Sequence, residues 1–209
     1  MVTAPRPSRE DYYRALAETL DEATLVVTAL GNASYLWAKL RDAPRNFYLE
    51  DAMGLALPLA LGLAVAQPER QVVVVEGDGG LLMHMGALVT VGAVAPSNLT
   101  ILLIQNGVHA ASGGQALTNA DLDFAEIGRA FGIARAETID AVHGFQPALN
   151  AALGEPGPAL FVLAAEPDLE PVTPPVPLDP VRTKQRFAEA IGAPRYVSTF
   201  FGGGKLVET

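Results

Sequence analysis

Long runs of consecutive apolar residues dominate the middle of this chain. Residues 71–76 (QVVVVE), 99–105 (LTILLIQ) and 159–164 (ALFVLA) have the length of a strand and show no alternation between apolar and polar positions. Strands of this kind are buried on both faces, as in a parallel sheet that is covered by helices. The pattern therefore predicts a central parallel sheet.

Helical patterns separate these strands along the chain. The predicted helices cover residues 10–20, 34–40, 53–66, 82–94, 123–131 and 145–153, and two further strands are predicted at residues 24–28 and 134–137. A Gly31-Asn32 turn divides the first strand from the helix that follows it. Regular alternation of this kind predicts an α/β fold, a three-layer αβα domain with a doubly wound, mostly parallel sheet.

The composition changes after residue 165. Residues 166–180 are rich in proline, which favours an extended strap over another layer of the fold. A short amphipathic helix is predicted at residues 181–191, and residues 196–209 form a tail with Phe200 and Phe201 beside three glycines. We therefore divide the chain into an α/β domain, residues 1–165, and a C-terminal segment, residues 166–209, that comprises strap, helix and tail.

Charge and composition exclude several classes of function. The 209 residues include 14 Lys and Arg against 23 Asp and Glu, and a net charge of -9 disfavours nucleic acid and anionic membrane surfaces as partners. Residues 79–120 contain no charged side chain, but Pro96-Ser97-Asn98 interrupts this stretch, so we expect a helix, a turn and a strand and not a membrane span. The absence of cysteine and of a signal-like N-terminal segment predicts a cytoplasmic protein.

Polar residues follow two of the predicted strands. Gly77-Asp78-Gly79-Gly80 comes after the first, and Gln105-Asn106-Gly107-Val108 comes after the second, so both lie at the edge of the sheet where ligands bind. Backbone N–H groups at a helix start can bind a phosphate. A carboxylate, an amide oxygen and a carbonyl can be three ligands of Mg²⁺, which then completes its octahedron with phosphate oxygens. The pair predicts a diphosphate ligand with Mg²⁺. A tight turn with a helix-capping Asp is the alternative for the first segment alone.

The two segments together resemble the thiamine diphosphate-binding motif of thiamine-dependent enzymes. Further similarity to the small subunits of sulfopyruvate decarboxylase and to phosphonopyruvate decarboxylase covers about residues 20–165. It is carried by residues 46–48 (NFY), 51–54 (DAMG), 81–90 (LLMHMGALVT) and 106–115 (NGVHAASGGQ). The resemblance implies a thiamine diphosphate-binding fold and thiamine diphosphate and Mg²⁺ as cofactors.

The resemblance also implies roles for particular residues. Asp78, Asn106 and the main-chain carbonyl of Val108 would hold Mg²⁺, and Gly77, Gly79 and Gly80 would approach the diphosphate. Met53 would hold the two cofactor rings in their bent arrangement, with the Asp51 carbonyl near the amino group of the pyrimidine. Methionine suits such a task because its side chain is apolar, long and adaptable.

This sequence departs from the family pattern at two places. Gln105 stands where the family usually has Asn, which leaves the metal-ligand position at Asn106 intact. Glu50 and Asp51 stand where a Gly-Ser pair is often found before the Met, and a carboxylate near the reaction centre would repel a sulfonate or phosphonate unless these side chains turn outward into an interface.

Three histidines and two polar loop residues complete the candidates. His109 lies three residues after Asn106 and is expected to contact substrate or a reacting oxygen, so we predict it to be catalytic together with Met53. His84 is expected in the core or an interface, and His143 on the surface. Ser112 and Gln115 lie near the predicted cleft, where ordinary loop hydrogen bonding is the alternative.

The resemblance covers only the diphosphate-binding half of such an enzyme. The glutamate that activates the cofactor belongs to a pyrimidine-binding domain in this family, so a partner subunit and a hetero-oligomer are implied. The implied function is decarboxylation of a small 2-oxo acid, with carboligation or oxidative transfer as related possibilities. A noncatalytic module that binds thiamine diphosphate or another diphosphate, with a regulatory role, is the alternative from a different class.

Overall fold

The computed structural model describes residues 5–173, 178–193, 195–197 and 205–207, and its centre is a six-stranded sheet whose paired strands all run parallel. Two short pairs, β5 with β6 and β9 with β10, lie outside this sheet. The strands are β1 (Leu25–Thr28), β2 (Asn46–Tyr48), β3 (Val72–Gly77), β4 (Leu99–Gln105), β5 (Val108–His109), β6 (Gln115–Ala116), β7 (Arg135–Ile139), β8 (Ala159–Ala164), β9 (Arg195–Val197) and β10 (Lys205–Val207). The large sheet has the order β2-β1-β3-β4-β8-β7.

Helices cover both faces of the sheet and confirm the predicted three-layer α/β class. The helices are α1 (Arg9–Thr19), α2 (Asn32–Arg41), α3 (Ala56–Ala66), α4 (Asp78–Met83), α5 (Gly86–Val94), α6 (Phe124–Ala130), α7 (Val142–Gly154) and α8 (Pro180–Ala190). Alternate residues of β3 serve the two faces: Val72 and Val74 pack with α3, α5, α6 and α8, whereas Val73 and Val75 pack with α1, α2 and α7. The unbroken apolar runs thus reflect burial on both sides of the sheet.

Three of the predicted helices have the wrong bounds. The helix predicted at residues 145–153 begins three residues earlier, at Val142. The helix predicted at residues 53–66 begins only at Ala56, because Gly54 (φ 74°) has a left-handed backbone that no α-helix contains. The helix predicted at residues 82–94 is two helices, α4 and α5, the first of which begins at Asp78 directly after β3. The short edge strand β2 was not predicted, since three residues carry too little periodicity.

The strand order sets the position of the ligand crevice. From β1 the chain moves outward to the edge strand β2, and it then returns to place β3 on the other side of β1. Such a reversal leaves an opening beyond the carboxyl ends of the two strands, where doubly wound proteins bind their ligands. The loops that follow β1, β3 and β4 meet at this opening.

The helix α8 of the C-terminal segment packs on the α/β layers. Phe187 of α8 is buried in the core and contacts Phe47 of β2 edge to face, with ring centroids 5.4 Å apart, while Arg186 forms an ion pair with Asp42. The extended strap is described as far as residue 173. Residues 174–177 and most of the predicted tail, including Phe200 and Phe201, lie outside the described residues. The division into two segments at residue 165 stays a prediction.

Within the described ranges, no helix combines the length and apolar character needed to cross a bilayer.

Candidate functional site

A cavity of about 190 Å³ opens at the carboxyl ends of β1, β3 and β4. Its wall contains Gly77, Asp78, Gly79 and Gly80 after β3, and Asn106, Val108 and His109 after β4, together with Met53. The structure therefore brings every predicted site residue except Asp51 into one cavity, although these residues are far apart along the chain.

Asp78 joins the two segments of the predicted motif. Its Oδ1 atom accepts the N–H of Gly79 at 2.9 Å, and its Oδ2 atom accepts the N–H of Gly107 from the loop after β4 at 2.7 Å. Burial raises the pKa of the Asp78 carboxyl, while hydrogen bonds from the amides of Gly107, Gly79 and Asn106 and the charge of His109 act in the opposite direction. Asp78 thus fixes the position of the second loop beside the start of α4.

The loop after β4 folds back over the start of α4. The strands β5 and β6 form a small hairpin, closed by a bond from the N–H of Leu117 to the carbonyl of Gly107 at 2.9 Å. This places the imidazole of His109 against Gly79, where a Cβ would lie 2.6 Å from the ring. A side chain at position 79 would displace the imidazole from this position in the cavity wall.

Met53 lies in the turn that precedes α3 and not at a helix start. Its side chain is 41% exposed and lines the cavity. Asp51 is exposed and lies outside the cavity lining, as does Glu50, whose carboxyl has a pKa raised by burial and by the charge of Asp51. Neither carboxylate lines the cavity, so the two residues that depart from the family pattern do not bring negative charge into its wall.

Glu76 ties the turn of Met53 to the motif. It is 2% exposed, and its Oε1 atom accepts the N–H of Gly77 at 3.0 Å. The amides of Ala56 and Leu57, the first two residues of α3, lie close enough to this carboxylate to lower its pKa, and the residue before them provides no side-chain cap. Burial outweighs the three amides and raises the pKa of Glu76 to about 7. The last polar residue of β3 thus lies beside the uncapped start of α3.

Replacing Glu76 by alanine is expected to loosen the turn and destabilise the protein. The amide of Gly77 would lose its acceptor, and the amides of Ala56 and Leu57 would lose the carboxylate beside them, at a cost of about 1–3 kcal/mol. We expect a lower urea midpoint and faster hydrogen exchange at residues 51–57. Glu76→Gln retains an acceptor oxygen and is expected to be intermediate. Replacing the exposed Glu137 by alanine is the control, and equal exchange in the two alanine variants would contradict this role of Glu76.

Several other candidates have structural roles or lie elsewhere. The amide of Gln105 donates to the carbonyls of Ala120 and Leu122 at 3.0 and 3.1 Å, so it holds the following loop and does not line the cavity. Ser112 lines the cavity and donates a hydrogen bond to Gln115, and Gln115 itself lies outside the cavity lining. His84 is exposed in this chain, so the core prediction was wrong and an interface position stays a prediction.

His143 is exposed, as predicted for a surface residue.

The residues present fit a diphosphate bound with Mg²⁺. A carboxylate and an amide oxygen from two strand ends are the hard ligands that Mg²⁺ takes. A Cβ at Gly77 would meet no atom within 4 Å, so the backbone there is open to the cavity. In the described part of the chain, no group of three or more His, Cys, Asp or Glu side chains could hold a metal by itself. Phosphate oxygens would therefore have to complete the coordination.

Part of the cavity wall was missed in the sequence analysis. Asn32 and Ala33 enter from the start of α2, and Arg9, Tyr13 and Glu76 complete a polar side of the wall. Of these residues only Glu76 had a local signal, because it lies beside the predicted motif as a charged residue that ends an apolar run. For Arg9 and Tyr13 no local signal exists, because their position depends on how α1 packs against the sheet.

Comparison with known families gives one match over most of the chain. Residues 29–163 match the model described as "Thiamine pyrophosphate enzyme, C-terminal TPP binding domain". The matched region contains the two motif segments and the turn of Met53, whereas α1 lies before it and α8 after it.

Named relatives point in the same direction. The chain is 38% identical to a phosphonopyruvate decarboxylase of Streptomyces viridochromogenes over 79% of its own length and 41% of the relative's. It is 31% identical to sulfopyruvate decarboxylase subunit beta of Methanocaldococcus jannaschii over 88% of its own length and 97% of the relative's. The chain thus spans about two fifths of the phosphonopyruvate decarboxylases that it matches, but nearly all of this beta subunit.

Solved structures support the fold. The crystal structure of benzoylformate decarboxylase from Polynucleobacter necessarius superposes with a TM-score of 0.66 at 20% identity, covering 78% of this chain and 34% of that one. At this level of identity the likeness establishes the architecture of the domain.

Proposed function

Because the chain belongs to the family of C-terminal thiamine pyrophosphate-binding domains, we propose that it is the diphosphate-binding subunit of a thiamine diphosphate-dependent 2-oxo acid decarboxylase. The observation that carries the proposal is the bond of 2.7 Å from the N–H of Gly107 to Asp78, which brings both motif segments to one cavity. The beta subunit among the relatives, of nearly equal length, supports a division of the enzyme into two chains.

In this proposal Asp78, Asn106 and the carbonyl of Val108 hold Mg²⁺, and Gly77, Gly79 and Gly80 let the diphosphate approach the backbone. Thiamine diphosphate, when bound, supplies the centre that accepts the electrons released with CO₂. Met53 would support the cofactor rings, with the Asp51 carbonyl near them, and His109 would donate or accept a proton at the substrate oxygen. The substrate is a small 2-oxo acid, such as those in the names of the relatives.

A partner subunit would cover apolar side chains that this chain leaves exposed. Large apolar side chains are exposed in the turn before α3 and on the helices α4 and α5, and exposed apolar surface is typical of protein interfaces. These side chains are Met53, Leu55, Met83, Val89 and Val94. The partner we propose is a pyrimidine-binding subunit that carries the activating glutamate, which makes the enzyme a hetero-oligomer.

Co-purification with a pyrimidine-domain subunit tests this proposal. We expect CO₂ release from sulfopyruvate or phosphonopyruvate only when both subunits, thiamine diphosphate and Mg²⁺ are present, and loss of activity after chelation of the metal. Met83→Asp, on the exposed apolar surface, is expected to reduce association with the partner, whereas Val181→Asp on the distant helix α8 is the control.

Two results would contradict the decarboxylase assignment. Cofactor binding without CO₂ release from any 2-oxo acid would favour the noncatalytic or regulatory module. A condensation or oxidation product in place of the aldehyde would favour a thiamine-dependent carboligase or oxidoreductase subunit.

A further inference from the structure

The helix α1 contributes two buried polar groups to the cavity wall. Arg9 is 5% exposed and Tyr13 is 1% exposed, and both line the cavity that contains Asp78 and Asn106. Both precede residue 29, where the match to the family model begins. Their presence in this wall is therefore a feature of this chain outside the matched region.

Each of these residues has a buried donor without a partner. Among the described residues, neither the Arg9 Nε atom nor the Tyr13 hydroxyl forms a hydrogen bond. A buried donor without an acceptor costs about 1–3 kcal/mol, so two of them beside one cavity indicate a polar ligand that accepts hydrogen bonds there.

Both side chains are held in place by the surrounding structure. The Arg9 Nη2 atom forms an ion pair of 2.6 Å with Asp168 of the strap, which leaves Nε free. The Tyr13 ring packs edge to face against Trp37, with centroids 6.2 Å apart, and Trp37 is fully buried. Side chains fixed in this way lose little entropy when a ligand binds.

The chemistry of the wall favours an oxyanion. Arg9 is the one Lys or Arg among the described residues that line the cavity, and its guanidinium offers donors in a geometry that matches phosphate-type groups. Glu76 lies in the same wall, but its carboxylate accepts the N–H of Gly77 and lies beside the amides of Ala56 and Leu57, which makes it part of the framework. The second carboxylate oxygen of Glu76 has no partner among the described residues, and a water molecule, not the oxyanion, would contact it because two anions repel each other.

We propose that Arg9 and Tyr13 form an oxyanion subsite, in which the guanidinium Nε–H and the phenolic O–H donate hydrogen bonds to one phosphate-type group. This inference rests on the proposed function, because the site shares its cavity with the Gly77–Gly80 segment. The oxyanion is either the terminal phosphate of the cofactor or the phosphonate or sulfonate end of a substrate. Both sources offer the same tetrahedral arrangement of acceptor oxygens.

Equilibrium titrations of the purified complex distinguish the two sources. Arg9→Gln is expected to raise the Kd by about tenfold and Tyr13→Phe by about threefold. If the group is the cofactor's phosphate, the change appears with thiamine diphosphate and with inorganic pyrophosphate in the presence of Mg²⁺. If it belongs to the substrate, cofactor binding is unchanged, whereas the Kd of methylphosphonate for the cofactor-loaded protein rises.

Matched variants separate ligand binding from structural effects. Tyr13→Phe removes an unpartnered hydroxyl, so its melting temperature should equal or exceed the wild-type value while its affinity falls. Tyr12→Phe loses bonds to the carbonyls of Ile139 and Ala164, so its melting temperature should fall while its affinity stays unchanged. Asp168→Asn removes the ion pair but retains Arg9, and it should therefore weaken binding less than Arg9→Gln does.

Two results would overturn the inference. The first is that Arg9→Gln and Tyr13→Phe leave the affinity for all three probes unchanged. The second is that Arg9→Gln and Asp168→Asn lose equal affinity, which would make Arg9 a purely structural partner of the strap. A wild-type protein that binds no thiamine diphosphate would instead remove the proposed function, so the two failures are distinguishable.

Discussion

Replacing Asp78 by alanine is expected to abolish Mg²⁺-dependent binding of thiamine diphosphate, with a Kd raised roughly a hundredfold or more. Asp78 is the one carboxylate of the proposed metal site, and the other carboxylate in the cavity wall, that of Glu76, is bound to the N–H of Gly77. The variant also loses the acceptor that positions the N–H of Gly107. Titration calorimetry at fixed Mg²⁺ concentration measures the effect, together with the rise in melting temperature that the cofactor causes in the wild type.

Two variants show whether this effect concerns the metal. Asp78→Asn keeps an acceptor for Gly107 but removes the charge, so we expect most of the affinity to be lost while the fold is retained. Asp123→Ala is the matched control, because Asp123 caps α6 by accepting the N–H of Glu126 and lies outside the cavity lining. It should cost about 1 kcal/mol of stability without changing the Kd. Near-normal affinity in Asp78→Asn would contradict a role of this residue in binding Mg²⁺.

Replacing Gly92 by alanine is expected to destabilise the protein by about 3 kcal/mol or more. Gly92 lies in α5 at its closest approach to the end of α6, and a Cβ there would lie 1.7 Å from the carbonyl oxygen of Phe131. The obstructing atom belongs to the backbone, so no change of rotamer can relieve the clash. The two helices would have to separate, at the expense of contacts in the core on that face of the sheet.

Urea denaturation of Gly92→Ala beside Gly62→Ala measures this effect. Gly62 is also helical, in α3, but it is exposed and a Cβ would meet no atom within 4 Å. Alanine at position 62 should stabilise the protein by about 0.5–1 kcal/mol through its better helix propensity. Gains of similar size in both variants would show that α5 and the Phe131 turn do not pack as closely as described.

Several parts of this protein could be predicted from the sequence because their signals are local. The strands β3, β4 and β8 lie where their apolar runs predict them, within one residue at each end. Burial on both faces selects such runs irrespective of what packs against them. The positions of Asp78 and Asn106 followed from the same signal, because parallel strands place the residues that follow them at one edge of the sheet.

The start of α3 shows why other features could not be predicted. Its apolar pattern extends back to Met53, yet the helix begins at Ala56, after the left-handed Gly54 and beside the carboxylate of Glu76. Glu76 is distant along the chain and lies on another element, so no local cap signal marks the boundary. A sequence-based helix bound therefore misplaced Met53 at a helix start, although it lines the cavity as predicted.

The sequence by itself determined the α/β class, the central strands and the pair of segments that resemble a thiamine diphosphate-binding motif. Only the tertiary structure decided that Arg9 and Tyr13 enter the same cavity, that Gln105 serves a neighbouring loop and that Glu50 and Asp51 lie outside the cavity lining. The physical reason is the range of the interactions. Apolar periodicity and turn residues act between near neighbours in the chain, whereas a side chain's partner in the folded protein depends on how distant helices pack on the sheet.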